Sequence, residues 1–184
     1  MSSELAGTGR AAAGPTPRIP DCPLARTAQT IGPWWTLEIL HEMFDGHTGF
    51  ESIGRNLATP ADVLLARMAA LIAKGLLETE HGSANPRDRN YRLTDLGRSL
   101  RPIILAMAAW GNHLLAPQDR SLILVDAATG SEADPVLVDR WTGRKVDSTG
   151  YFFARGPKAS ALISARYPPN PGAASQHSVE IEEQ

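Results

Sequence analysis

The 184-residue sequence predicts an α+β protein that is mainly helical, with one two-stranded hairpin and a small β-rich subdomain near the C-terminus. Three observations predict this class. Apolar residues recur at helical spacing from residue 22 to residue 75, and again from residue 94. Between these stretches, two short alternating runs flank a segment rich in Gly, Ser, Asn and Pro. Beyond residue 120 the pattern becomes β-like.

The composition divides the chain into four parts. Residues 1–20 and 168–184 contain few large apolar side chains, so we expect disorder at both ends. Residues 21–116 hold the helices and the hairpin, and residues 117–167 form the predicted β-rich subdomain. With 42% apolar and 21% charged residues, the chain can bury one full core and a small annex.

Composition also excludes several classes of protein. No apolar run approaches the roughly 20 residues of a membrane span, and the N-terminus lacks the apolar core of a signal peptide. We therefore expect a cytoplasmic protein that does not bind membranes. A single cysteine excludes an internal disulfide and a zinc site built from several thiolates. The net charge of -2 means that any nucleic-acid binding must depend on local patches.

The first three predicted helices are short. The first starts after Cys22 and ends at Gly32, and the second runs from Pro33 to the break at Gly46. Phe50, Ile53, Gly54 and Leu57 form the inward stripe of the third.

The fourth predicted helix has several start features. Thr59 suits the N-cap, Pro60 the first helical position and Asp62 the first turn, and Gly75 closes the helix. The hairpin follows, with the runs "GLLETE" and "NYRLT" as its strands. Its connecting stretch holds two arginines, which would either contact phosphate or belong to an ordinary solvated loop.

After the hairpin, Thr94 caps a long predicted helix that extends to Leu115 and is kinked at Pro102. Its apolar stripe is longer than the small preceding core needs, which predicts a dimerisation helix. These residues form the stripe: Leu96, Leu100, Ile103, Ile104, Met107, Trp110 and Leu114.

Three short helices, a fourth helix, a hairpin and a long helix in this order predict a winged helix-turn-helix fold. In such a fold the exposed start of the fourth helix enters the DNA major groove, and the hairpin lies over the backbone. The predicted DNA-contacting residues are Thr59, Ala61, Asp62, Leu65 and Arg67 on the fourth helix and Arg87 and Arg89 in the hairpin.

Several motifs resemble the HxlR family of bacterial winged-helix transcription regulators, which are relatives of the MarR group. They are the opening Cys-Pro, the Gly-x-x-Trp-Thr-Leu-x-Ile-Leu run, a Leu-x-x-Arg helix and Tyr-x-Leu-Thr-x-x-Gly. The resemblance covers residues 22–115. It implies a homodimer that binds a palindromic operator in double-stranded DNA and responds to electrophiles, oxidants or small aromatic compounds.

The chain departs from the family pattern in its charge. Gly49 stands where the family usually has an arginine, and Glu78, Thr79 and Glu80 stand where arginines often open the first wing strand. Residues 22–116 carry nine Lys or Arg and nine Asp or Glu, so this region has no net charge. A DNA-binding domain normally has a basic surface. The alternative is therefore a winged-helix dimer with weak or lost DNA binding that acts as a ligand- or protein-binding partner.

Cys22 occupies the opening Cys-Pro, where some relatives carry a redox-active thiol, so it is either a redox site or a small buried apolar residue. Trp34, Trp35 and Trp110 would line an aromatic ligand pocket or form part of the core. The histidines have no metal-ligand spacing and no partner nucleophile. We therefore predict no cofactor, no metal and no enzymatic activity.

The β-like region contains an internal repeat, "LVDAATG" at 124–130 and "LVDRWTG" at 137–143. It resembles a small zinc ribbon in which Asp-x-x-Thr-Gly replaces Cys-x-x-Cys-Gly. Asp and Thr cannot supply four tight zinc ligands, so we expect no metal. Side-chain-to-backbone hydrogen bonds in Asx-type turns would then preserve the shape. The run "YFFARGP" is predicted as a further strand.

Overall fold

A computed structural model describes residues 19, 21–80, 83–147 and 149–172 of the chain. The predicted disorder of residues 1–18 and 173–184 lies outside the described residues. The chain forms two compact units. One is Thr30–Tyr151, and the other combines the described residues up to Gln29 with the described residues from Phe152 to Gly172. These boundaries differ from the predicted division between residues 116 and 117.

The N-terminal half of the chain contains the four predicted helices. They are α1 (Pro23–Ile31), α2 (Trp35–Phe44), α3 (Phe50–Asn56) and α4 (Ala61–Ala73). Gly75 has a φ of 70°, which an L side chain rarely adopts, and this allows the chain to turn from α4 into the hairpin.

The start of α4 differs by one residue from the prediction. Pro60 is the N-cap, because its extended ψ of 143° precedes the helix and its carbonyl accepts the first helical bond from Leu64 N at 2.9 Å. The Thr59 hydroxyl donates to the Leu57 carbonyl at 3.1 Å and does not cap α4. The prediction of Thr59 as N-cap is therefore wrong.

The hairpin and its packing on the helices agree with the prediction. β1 (Leu77–Thr79) pairs antiparallel with β2 (Tyr91–Leu93), and Glu78 opposite Arg92 forms an ion pair at 3.1 Å. The inward positions of the strands join the core. Its buried apolar residues are Ile39, Leu40, Met43, Phe50, Ile53, Leu64, Met68, Leu71, Leu76, Leu77, Tyr91 and Leu100.

The predicted continuous helix after the hairpin is wrong. Two helices occur instead, α5 (Asp95–Arg98) and α6 (Arg101–Asn112). Thr94 caps α5 as predicted, since its hydroxyl accepts a bond from Gly97 N at 3.0 Å. Pro102 lies in the first turn of α6, where its missing N–H removes no helical bond. The proline therefore marks a new helix start and not a kink.

Residues after α6 also differ from the predicted strands. "YFFARGP" forms no strand, and Arg155 makes only an isolated parallel bridge with Pro169. One of its two residues, Pro169, was predicted to belong to the disordered tail. Ala161–Arg166 forms a helix, α7, within the region predicted as β-like. Ser160 caps α7, and its N–H and hydroxyl donate to the Asp21 carboxylate at 3.0 and 3.1 Å. These bonds lower the pKa of Asp21.

Gly97 lies against the backbone of the hairpin. A Cβ at this position would overlap the Leu76 carbonyl oxygen and lie 3.1 Å from the Leu93 side chain. The glycine therefore allows α5 to pack directly on Leu76, the residue immediately before β1.

We expect Gly97→Ala to lower the free energy of unfolding by about 1–3 kcal/mol, because the added methyl displaces backbone and not a flexible side chain. Gly111→Ala is the matched control, since a Cβ there meets nothing within 4 Å. This control should be neutral or stabilising by up to about 1 kcal/mol. Urea unfolding of both variants measures the difference, and equal effects would contradict the assignment.

Candidate nucleic-acid interface

The helices α3 and α4 form a bent pair. The pair is bent by 115°, within the range of roughly 90–120° seen in helix-turn-helix motifs. Ala58, in the turn between them, has a φ of 46°. No single helix in the described residues is long and apolar enough to cross a membrane, and only this bent pair would be so by length and composition.

One face of α4 is buried and the other is exposed. Leu64, Met68 and Leu71 are buried in the core. Between Ala61 and Ala69, the exposed residues of α4 are Asp62, Val63, Ala66 and Ala69. This surface, the α4 outer face, consists mainly of small side chains, which allow close approach to a partner.

The α4 outer face includes only one of the five residues predicted on this helix. Ala61 and Leu65 are half-buried and pack against the core, and their base contacts stay a prediction. Leu65 follows the buried Leu64 in the helix, so its side chain lies at the edge of the buried face of α4. Val63, Ala66 and Ala69 are exposed on this face, although their short apolar side chains resemble core residues in the sequence.

Arg67 packs against two of the predicted pocket residues. Its guanidinium lies 5.4 Å from the centre of the Trp35 ring and 5.8 Å from that of Trp34. Both distances suit cation–π contacts. Arg67 therefore links α4 to the start of α2, so a predicted DNA-contacting residue packs on two residues of the predicted ligand pocket.

The loop between the strands is held by its own side chains. It contains a 3₁₀ turn, Pro86–Asp88, capped by the Asn85 side chain. The half-buried Arg89 donates to the carbonyls of Ser83 and Ala84, both at 2.8 Å. Tyr91 donates its hydroxyl to the Pro86 carbonyl at 2.9 Å, and burial raises the pKa of this phenol.

The two predicted hairpin arginines therefore differ. The Arg89 side chain donates hydrogen bonds within the loop, whereas the Arg87 side chain is exposed. Arg87 lines a cleft of about 360 Å³ together with Arg55, Thr59 and Ala61 at the end of α3 and the start of α4. Arg55 was not predicted as a site residue. Its side chain is 74% exposed, and its guanidinium forms a long ion pair with Glu51 at 3.9 Å.

A second concavity lies elsewhere in the unit Thr30–Tyr151. This groove of about 940 Å³ is lined by α2, α6 and residues 120–135, with His41, Phe44, Met107 and Ile123 among its walls. Trp34, Trp35 and Trp110 are absent from the described residues that line it. Trp110 is instead 80% exposed on α6.

The remaining predicted sites are few. Cys22 is a free, half-buried thiol immediately before α1. Within the described part of the chain, no group of three His, Cys, Asp or Glu side chains is placed to hold a metal ion.

Comparison with known proteins identifies the family. The sequence model of the family described as HxlR-like helix-turn-helix matches residues 30–119 of this chain. The HTH-type transcriptional regulator Rv3095 of Mycobacterium tuberculosis, described as uncharacterized, is 31% identical over 143 residues, which are 77% of this chain and 90% of that protein. The chain belongs to the HxlR-like helix-turn-helix family of transcriptional regulators.

Solved structures agree with an HxlR-like winged-helix fold. The candidate transcription factor PA1374 from Pseudomonas aeruginosa is 31% identical, with a TM-score of 0.60 over 79% of this chain and 99% of its own. PA1607, also a candidate transcription factor, is 27% identical, with a TM-score of 0.64 over 74% and 96% of the two chains. Both similarities extend over more of the chain than the matched residues 30–119.

The contrast between Arg89 and Arg87 predicts different effects on stability. Arg89→Ala should lower the free energy of unfolding by about 1–2 kcal/mol, because two loop carbonyls lose charged donors. Arg87→Ala should change it by less than about 0.5 kcal/mol, since its side chain is exposed. Chemical denaturation measures both variants. Equal losses would contradict the internal role of Arg89.

Proposed function

We propose that this HxlR-like protein is a dimeric, sequence-specific regulator that binds a palindromic operator in double-stranded DNA. The observation that supports it is the pair of helices bent by 115°, where the exposed Arg55 and the exposed Arg87 of the hairpin loop share a cleft with Ala61 at the start of α4. The proposed role involves no catalysis. A protein that binds chromosomal DNA would act in the cytoplasm.

The α4 outer face would contact base edges in the major groove. Ala66 and Ala69 allow close approach and can contact thymine methyl groups, and the Asp62 carboxylate can accept a bond from a cytosine amino group. Arg87 and Arg55 would contact phosphates, which fix orientation but add little sequence information.

We propose α6 as the dimerisation helix. Ile103, Met107 and Trp110 follow one another at helical spacing on α6, and Leu114 lies just beyond its end; the four are between 39% and 92% exposed. No described residue from Arg101 to Gly172 is buried. A second copy packed on this stripe would cover apolar surface that the described chain leaves in water. Two-fold symmetry would then match a palindromic operator.

Regulation by an effector is a further part of the proposal. The groove on α2 and α6 contains apolar walls beside ionisable side chains such as His41, Asp45 and Arg101. This combination suits a small aromatic compound with a polar group. The half-buried Cys22 thiol is the proposed site for an electrophile or oxidant.

The alternative is a dimer with weak or lost DNA binding that binds a ligand or protein. The equal numbers of acidic and basic residues between 22 and 116, and Asp62 on the α4 outer face, favour this second candidate. Binding to the DNA upstream of its own gene, measured over a salt titration, separates the two. The alternative predicts weak binding that is independent of sequence.

For the DNA interface we expect Arg87→Ala to weaken binding to all sequences about equally and to lower the salt slope by about 1. Ala66→Ser should instead change which sequence is preferred, because a hydroxyl on the α4 outer face would meet base edges. Fluorescence anisotropy with operator and scrambled duplexes measures both effects. If the Arg87 variant keeps the wild-type affinity and slope, the hairpin does not face DNA.

For the dimer we expect Met107→Glu, alone or with Trp110→Glu, to produce a folded monomer, because buried unpaired carboxylates oppose association. Leu162→Glu on α7 is the matched control, since Leu162 is also exposed on a helix. This control should stay dimeric. Sedimentation equilibrium measures the masses, and a monomeric wild type would refute the dimer.

A further inference from the structure

The two halves of the internal repeat adopt the same backbone turn. We call residues 126–132 the first Asp–Thr turn and residues 139–145 the second. In the first turn, Asp126 accepts bonds from Ala128 N at 2.7 Å and Thr129 N at 3.2 Å. In the second, Asp139 accepts a bond from Trp141 N at 3.0 Å. Both turns are therefore Asx-type turns, as the sequence predicts.

Each turn is closed in the same way. Gly130 N donates to the Asp126 carbonyl at 2.7 Å, and Gly143 N donates to the Asp139 carbonyl at 2.8 Å. The two glycines have φ values of 71° and 67°. Isolated bridges flank the turns: Val125 with Glu132 and Val138 with Lys145. Three repeated residue types, Asp, Thr and Gly, thus build the turn, and the positions between them are free to vary.

The variable positions differ consistently between the two turns. At four matching positions, the first turn has Ala, Ala, Ser and Glu, whereas the second has Arg, Trp, Arg and Lys. All four side chains of the second turn are exposed, and Trp141 is 88% exposed. The first turn therefore carries two negative charges and the second a net charge of two positives. The four variable residues of the second turn are Arg140, Trp141, Arg144 and Lys145.

The fold does not require this basic, aromatic set, because the first turn forms without it. Arg144 lies 5.4 Å from the Tyr151 ring, which orients its guanidinium while leaving it exposed. Trp141 leaves a large indole in water, which is unfavourable unless a partner covers it. The set therefore points to a binding surface.

We propose that the second Asp–Thr turn binds the sugar–phosphate backbone of double-stranded DNA. Arg140, Arg144 and Lys145 pair with phosphates, and the Trp141 indole packs on the sugar edge of a groove. The inference rests on the proposed function as a DNA-binding regulator. It is favoured over other partners because residues 22–116 have no net charge, and the second turn supplies the cations that this region lacks.

The internal repeat provides the test variant. In the full-length chain, Arg140→Ala, Trp141→Ala, Arg144→Ser and Lys145→Glu together give the second turn the variable residues of the first. Because those residues occupy the same backbone turn at 126–132, the exchange should leave the fold unchanged by circular dichroism. Fluorescence anisotropy then measures binding to two duplexes, the DNA upstream of the protein's own gene and an unrelated duplex of equal length.

We expect the exchange to weaken binding to both duplexes by a similar factor of at least tenfold at low salt. The salt slope should fall by about 3 per subunit, since each phosphate contact contributes about 0.9. The control is Lys158→Glu with Arg166→Glu, two exposed residues whose reversal changes the net charge by the same four units. It should leave the slope close to that of the wild type, because the effect requires contact and not only net charge.

Single changes keep the test decisive if the fourfold variant misfolds. Arg140→Ala and Lys145→Ala should each lower the slope by about 1. Trp141→Ala should lower the affinity at unchanged slope, and Trp141→Phe should restore part of it, because the indole contributes apolar contact and not charge.

The outcomes separate this inference from the proposed function. If the wild type binds the upstream duplex and the exchanged variant binds it with equal affinity and slope, the second turn does not touch DNA and the inference is wrong. If the wild type binds neither duplex, the proposed function is wrong, and the inference that rests on it is wrong as well. Vesicles of pure phosphatidylglycerol test the other phosphate-bearing surface. Wild-type binding to vesicles that the exchange abolishes, with duplex binding unchanged, would assign the second turn to a membrane and overturn the proposal.

Discussion

The close contact between α5 and the residue that leads into β1 fixes how α4, the hairpin and α5 meet. Leu76 follows the end of α4, and its carbonyl accepts a bond from Thr94 N at 3.1 Å. Gly97 packs on the same carbonyl without room for a side chain. The end of α4, both strands and the start of α5 therefore share one junction. Changes there would alter the direction of the hairpin relative to α4, and with it the surface that we propose faces DNA.

Much of this arrangement can be predicted from the sequence because the relevant cues are local. Glycines after α1 and α4, alternating residues in the hairpin and the Thr94 cap each depend on neighbouring residues only. Pro102 shows the limit of such cues, since a proline permits either a kink or a helix start, and the packing of Leu100 in the core decides. The short α7 was missed because its apolar residues at 161–166 suit a strand as well as a helix, and its Ser160 cap is fixed by distant Asp21.

The candidate site was harder to predict than the fold. Arg67 and Arg89 are residues of the type that often contacts DNA. Arg67 instead packs on tryptophan rings, and Arg89 donates hydrogen bonds to carbonyls of its own loop. An arginine has five donors that fit a ring, a carbonyl or a phosphate, so its partner depends on tertiary geometry. The small residues of the α4 outer face give no sequence cue at all, because alanine is common both in helix cores and on helix surfaces.

The bond between Asp21 and Ser160 joins residues 139 positions apart in the sequence. One of the two compact units is thus assembled from both ends of the chain, while Thr30–Tyr151 is continuous. During synthesis the residues of the continuous unit are translated before those of α7. The surroundings of the segment containing Cys22 are therefore complete only after α7 has been synthesised.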